Sequence, residues 1–333
     1  MFRKSTRIAG LIIFITFSAI QVEQLMAQTC SCAGAPLIGS QSAGVSEQGN
    51  LLFGLTYEFN QITRLYSGSD RLTNDTTERN TQSVLFEVHF GITDRLSASG
   101  TFSFVNKERL SGLSSPSGTQ RSNTSGVGDG LVMLRYVILQ QSLWKRYHLA
   151  AGAGVKAPIG TTSLRNSSGL RFNADMQPGT GAWDGIFWSQ TSVNLIPRST
   201  MNITLMNSFR VTGENQRFTS NDNYRFGNEL VSTLMASDGI TTRLGYSLGL
   251  RYRSSSSDRL NGITQRNTGG KWVSIIPELH AGISERISLI VSGQVPVYQN
   301  LNGTQPTTTY TASATLFLNF NSSKDSFIHG RPN

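Results

Sequence analysis

The sequence is poor in several things that define other classes of protein. Cysteine occurs twice, as Cys30 and Cys32. That is too few for a disulfide scaffold, and a C-x-C pair closes too strained a ring to bridge well with itself. The Ala-Gln-Thr before Cys30 is a poor lipid-attachment box, and no metal-ligand partners stand nearby. The pair therefore reads as an ordinary N-terminal segment with oxidisable thiols. Charge is scarce, at 15% of residues against about 25% in soluble domains. Apolar residues are also few, at 38% against about 45%. What fills the space is Ser, Thr, Asn and 33 Gly, a mix that suits many strands with polar loops and does not suit a helical bundle.

Long apolar runs are missing too. Ile8 to Ile20 gives 13 residues, short of the roughly 20 that a helical span needs. Behind the basic Arg3, Lys4 and Arg7 it reads as a secretory leader over residues 1–28, cut after Ala27 or Gln28. A helical anchor is excluded, which leaves a periplasmic, extracellular or outer-membrane protein. Net charge is +9, or +7 without the leader, which removes three positives and one negative. Lys and Arg form no run, so nucleic acid is set aside as a partner. Anionic lipid and lipopolysaccharide are the expected partners of the basic residues.

What is present is alternation. In Val84 to Phe104, Val84, Phe86, Val88, Phe90 and Ile92 alternate with Leu85, Glu87, His89 and Gly91. After Thr93-Asp94-Arg95 the alternation resumes through Ala98, Phe102 and Phe104 against Ser99, Thr101 and Ser103. A period of two puts each set on its own face of a strand, and the short break makes a hairpin.

The pattern recurs along the chain. Phe53, Leu55, Tyr57 and Phe59 oppose Thr56, Glu58 and Asn60. Val132, Leu134, Tyr136 and Ile138 oppose Met133 and Arg135, and Tyr147 to Val155 oppose His148, Gly152, Gly154 and Lys156. Residues 183–195 are ambiguous, because Trp183, Phe187 and Val193 compete with Ile186 and Trp188. Strands follow through Met201 to Val211, where Asn207 interrupts the apolar face, then 224–236 and Leu244 to Tyr252. The last three run through Val273 to Ile283, with Pro277 implying a local bulge, Ile287 to Val297, and Tyr310 to Phe320.

The count is twelve. Long polar connections (67–81, 107–125, 158–182, 212–223, 254–270, 299–308) alternate with short ones (93–95, 140–146, 196–198, 237–239, 284–286). A sandwich has no reason for that alternation. A membrane barrel does, since its short turns face the periplasm and its long loops face outward. The expected fold is an all-β, transmembrane, antiparallel up-and-down β-barrel of about 12 strands over residues 50–320. A loose lead-in (29–49) and a polar tail (321–333) flank it. Tyr57, Phe59, Tyr136, Tyr147, Tyr252, Tyr310 and Phe320 fit the two aromatic girdles.

Gly126-Val127-Gly128-Asp129-Gly130 before LVMLRYVIL resembles the Gly-x-Gly-Asp strand opening of the outer-membrane proteins named for the meta-pathway of phenol degradation. AAGAGVKAPIGTTS (150–163) is similar to their strand ending Lys-x-Pro-x-Gly, PGTGAWD (178–184) to their next strand opening, and GITDRLS (91–97) to a periplasmic turn. The resemblance implies a channel or transporter of the Gram-negative outer membrane for small, often hydrophobic compounds. It brings no catalytic residues. It also implies handling by the barrel-assembly machinery, for which Phe320 is the expected terminal aromatic, although thirteen residues follow it.

Chemistry is sparsely provided for. The four histidines, His89, His148, His280 and His329, are scattered, so neither a metal site nor a cofactor is expected. Twelve-stranded outer-membrane phospholipases place a Ser two residues after a His on one strand face. Here those positions hold Gly91, Ala150 and Gly282. The informative polar residues are those that alternation sends inward. Glu58, Glu87 and His89 make one wall, and Arg135, His148 and Lys156 another. Arg210, Arg225, Glu229, Arg243 and Arg251 follow, then Glu278 and His280. Opposed acidic and basic walls would orient a polar solute, unless the charges simply pair across a structural interior. The expected function is passive passage of small, hydrophobic or aromatic molecules without catalysis. The alternative is a non-conducting structural or adhesive barrel that displays its loops.

Overall fold

The computed structural model describes residues 48–73, 77–113, 118–140, 146–195, 200–219 and 221–321. The expected leader, the lead-in up to residue 47, the 196–198 turn and the tail after Asn321 lie outside the described residues. Twelve strands form the wall: β1 (Asn50–Ser67), β3 (Thr77–Gly91), β4 (Leu96–Ser111), β6 (Gly130–Leu139), β7 (Tyr147–Ala157), β8 (Asp184–Asn194), β9 (Asn202–Thr212), β11 (Glu229–Gly239), β12 (Leu244–Ser255), β15 (Gly270–Gly282), β16 (Ile287–Leu301) and β17 (Thr304–Asn321). Each is antiparallel to the next, and β17 returns to pair with β1 from Asn50↔Asn321 to Ser67↔Thr304. The sheet is therefore a closed cylinder without a free edge along this path, as a lipid environment requires of strands.

Five short strands lie at the long-loop end. β2 (Asp70–Leu72) pairs antiparallel with the end of β1, and β5 (Gln120–Val127) with the end of β4. β10 (Tyr224–Arg225), β13 (Arg259–Leu260) and β14 (Ile263–Thr264) form a separate small sheet.

Alternation decides which side chains face lipid. Phe53, Leu55, Phe86, Val88, Phe102, Val132, Leu134, Leu248 and Leu279 all point outward, Val132 with 62% of its surface exposed. Such a belt is intelligible only against hydrocarbon. Rings on it pack across strands: Phe86 stacks on Phe102 at 5.0 Å, and Phe53 meets Phe320 edge-on at 5.7 Å. The expected girdle residues Tyr57, Tyr136, Tyr147, Tyr252, Tyr310 and Phe320 are all on this outer face. Asn207 is there as well. It donates to Ser189 Oγ (3.3 Å) and accepts from Ser232 Oγ (2.8 Å), so three outward polar groups on β8, β9 and β11 satisfy one another.

The structure departs from the sequence-based expectation in several places. Strands outrun the bilayer. β1 has 18 residues, which at about 3.4 Å each span well over the roughly 25 Å apolar band. Part of the expected loops 67–81, 107–125 and 299–308 is thus hairpin, and between β16 and β17 only Asn302 and Gly303 remain, Gly303 with φ 75°. The turn expected at 237–239 falls at 240–243, closed by Ile240 and Thr241 N–H donating to Leu244 O. Pro277 causes no register shift. The β15–β16 ladder lapses at Ile276 and Pro277 and resumes in the same register, and the irregularity lies between Val273 and Ser274. The facing of β8 is settled by pairing. Trp188 lies opposite Gly152 and turns inward, while Phe187 faces lipid. Inside, Leu131, Met133, Val137, Ala150, Ile186 and Trp188 make an apolar patch on the β6–β8 wall.

Candidate functional site

The three Gly-rich motifs converge on one knot at the long-loop end of the barrel. β5 and β6 form one stave broken at Gly128-Asp129, where the register against β4 slips by one residue. The Asp129 carboxylate fills the break. Its Oδ1 accepts from Gly160 N–H (3.2 Å), and its Oδ2 accepts from Thr180 N–H (2.9 Å) and Thr180 Oγ1 (2.6 Å). Lys156 Nζ is fully buried, 2.9 Å from both Asp129 Oδ2 and Asp184 Oδ2, and it also donates to Thr180 Oγ1. Gly160 and Gly179 cross with no room for a side chain. A Cβ on Gly160 would stand 2.8 Å from Gly179 Cα. Lys-x-Pro-x-Gly, Pro-Gly-Thr-Gly and Gly-x-Gly-Asp are thus three parts of one clamp.

The clamp directs the β7–β8 connection, residues 158–183, into the barrel. Its tip is a 3-10 turn (Ala174–Met176) with Met176 fully buried. Arg79 on β3 and Arg109 on β4 face each other across one rung, and both bind Asp175 Oδ2. Lys107 donates to the carbonyls of Asp175 (2.9 Å) and Gln177 (2.8 Å), and Thr124 donates to that of Met176 (2.6 Å). Within the loop, Gln177 bonds Leu164 through both ends of its amide. Burial alone would raise the Asp175 carboxyl, but Arg79 and Arg109, with Lys107 behind them, hold it below the ordinary carboxylate range.

Elsewhere the inner face carries mixed charge. Glu58, Glu87, His89, Arg135, Arg210, Glu229, Arg251, Glu278 and His280 are all buried on that face, and His148 is half-buried on it. The two signs are interleaved and do not form opposed walls. Arg135 contacts His89 (3.5 Å) and lies over the Trp188 ring (5.0 Å). Glu229 sits between Arg253 (2.6 Å) and Arg210 (3.7 Å). Arg251 reaches Thr233 (3.3 Å) and Gln294.

Two expected members are elsewhere. Arg225 belongs to β10 in the loop sheet, because the chain leaves the wall at Phe226-Gly227-Asn228, where Gly227 N–H donates to Asp258 Oδ1 (2.8 Å). Arg243 has the right parity but is exposed in the 240–243 turn, its carbonyl taken by Gly282 N–H (2.7 Å).

Arg79, Lys107, Arg109, Asp175 and Trp188 were not among the expected residues. Extending the Ser103, Val105 alternation two steps would have found Lys107 and Arg109. Nothing in the sequence sets Asp175 apart from any other loop acid.

A Ser–His–Glu contact does exist across strands. Ser247 Oγ is 2.9 Å from His280 Nε2 and donates to Glu278 Oε2 at 2.9 Å. The carboxylate also approaches the same ring nitrogen, at 3.3 Å. A relay needs the acid on the far nitrogen, with the serine proton directed at the imidazole. This arrangement supplies neither. Among the described residues no group of His, Cys, Asp and Glu is arranged to hold a metal.

A closed twelve-stranded cylinder with an apolar outer belt and a polar, loop-filled interior defines an integral outer-membrane barrel of the channel type. The chain belongs to the family described as "Putative MetA-pathway of phenol degradation", whose model matches residues 64–308. Among solved structures it is similar to an outer membrane channel from Pseudomonas putida F1, with TM-score 0.67 and 14% identity over 83% of this chain and 97% of that one. A Pseudomonas aeruginosa FadL homologue gives TM-score 0.41 and 10% identity over 90% and 99% of the two chains. The CymD monoaromatic hydrocarbon channel gives 0.40 and 8% over 83% and 90%. No curated protein matches the chain.

Proposed function

We propose that the barrel is a channel for passive passage of small molecules, hydrophobic or aromatic ones among them, and that it performs no catalysis. The observation that carries this reading is a set of buried polar atoms on the inner face with no protein partner: Glu87 Oε1, Glu278 Oε1, Arg251 Nη2 and Trp188 Nε1. Each unpaired buried group costs about 1–3 kcal/mol. An interior selected only for rigidity would have paired them or replaced them with apolar side chains. Groups that water and passing solute satisfy in turn need no permanent partner.

Trp188 with Arg135 stacked over it supplies a face for an aromatic ring, and Glu87 and Glu278 supply acceptors for a hydroxyl. The family description supports the same solute class. Outer-membrane lipid and lipopolysaccharide surround the belt, and the barrel-assembly machinery inserts it.

Liposome uptake of radiolabelled phenol and toluene by the reconstituted protein tests the reading. Uptake above that of empty liposomes is expected. Permeability equal to that of empty liposomes, from protein shown to be folded, would favour a structural barrel that displays its loops.

A further inference from the structure

The inward loop presents a carboxylate to two guanidinium groups, with Lys107 behind them, and that carboxylate is poorly fitted to them. Asp175 Oδ2 takes both Arg79 and Arg109, while Oδ1 has no partner. Guanidinium groups bind carboxylates best through two oxygens at once. Asp175 sits in a three-residue turn whose carbonyls are held by Lys107 and Thr124, which restricts the reorientation this would need. A carboxylate on a free molecule can reorient.

The loop backbone is held separately, by Lys107 and Thr124, so losing the Asp175 side-chain contact does not require the loop to unfold. The surroundings are aromatic. Arg171 of the same loop lies over the Phe218 ring at 5.0 Å, and Tyr224 packs between Phe218 (5.1 Å) and Phe226 (4.9 Å). Asp258 is an opposing charge there, but it is engaged by the Tyr224 hydroxyl (2.6 Å) and Gly227 N–H.

We infer that Arg79 and Arg109, with the charge of Lys107 behind them, form a carboxylate-binding site, occupied at rest by the chain's own Asp175, from which an aromatic monocarboxylate displaces it during passage. The inference rests on the channel reading above and names a substrate class for it. The site selects twice. The cations take the carboxylate, and the Phe218, Tyr224 and Phe226 rings take the apolar body. Neutral aromatics gain nothing from removal of Asp175.

Calorimetric titration of benzoate into the detergent-purified chain is the test, with benzyl alcohol as the neutral control. Asp175→Ala vacates the site, and benzoate affinity should rise at least about tenfold, the scale of one charge-assisted contact. Asp175→Asn keeps the shape should the alanine variant misfold, and it should show the same rise. Adding Arg79→Gln to either should abolish it. Benzyl alcohol should respond to none of these changes. Absence of saturable benzoate binding in both Asp175 variants, or an equal gain for benzyl alcohol, overturns the inference. Potassium chloride conductance of the same samples separates the two levels. Conductance without benzoate binding defeats the carboxylate site alone, whereas silence in every variant defeats the channel reading beneath it.

Discussion

Lys156→Met is the sharpest probe of the motif clamp. The side chain is fully buried, and its ammonium stands 2.9 Å from the carboxylates of both Asp129 and Asp184. Methionine fills nearly the same volume without the charge, so the change is electrostatic rather than steric. Asp129 retains its bonds from Gly160 and Thr180, and Asp184 retains that from Gly213 N–H (3.0 Å). Two carboxylates then face one vacated point without a cation. Removing one partner of a buried ion pair costs about 3–5 kcal/mol, and like-charge repulsion adds to it. Urea unfolding in detergent micelles, read by the gel shift between folded and heat-denatured barrel, should show a loss of that size. Adding Asp184→Asn should recover part of it, since one of the two stranded charges is gone. A Lys156→Met protein with an unchanged urea midpoint would refute the clamp. So would a double variant weaker than the single by the full cost of a second lesion, because sites in one network are not additive.

Other predictions follow from the same geometry. The contact of Asp175 with Arg79 and Arg109, a latch on the inward loop, should be sensitive to acid. Its carboxyl is held below the ordinary range, so its contribution is complete above the ordinary aspartate range and is lost as pH falls through the lowered value. Conductance should therefore rise on acidification, and Asp175→Asn should remove that part of the rise. Gly160→Ala would place a Cβ against Gly128 C and Gly179 Cα, both at 2.8 Å, and should lower stability by about 1–3 kcal/mol, seen as a lower gel-shift temperature. Asn207→Leu, on the lipid face, removes a self-satisfied polar triplet. It should leave stability within about 1 kcal/mol of the parent or raise it, read from the same urea titration.

The wall was legible because its physics is local. Each strand has one side in lipid, so Phe53, Leu55 and Tyr57 alternate with Thr56 and Glu58 whatever the rest of the chain does. Strand ends were not legible. Above the membrane both faces of a hairpin are wet, and β3 before Gln82 or β4 beyond Asn106 reads as polar loop although the ladder continues. Trp188 and Phe187 could be told apart only by pairing, because an inward aromatic requires a neighbour as small as Gly152. Parity placed Arg251 on the inner face, where it lies, and misplaced Arg243, because a turn ends the alternation before parity can apply. The inward loop has no periodicity, and its position follows from contacts between residues far apart in sequence, such as Lys107 with Gln177. The family motifs pointed to the clamp without revealing that Asp129, Lys156, Thr180 and Asp184 touch one another.

The central claim is that this closed cylinder conducts and that the β7–β8 loop narrows its bore. Planar-bilayer recording of the parent and of Asp175→Ala, from protein shown to be folded, tests it most directly. Small discrete conductance steps are expected for the parent and larger ones for the variant. Equal steps would mean that the latch does not limit the bore, and a bilayer left silent by both proteins would contradict the channel itself.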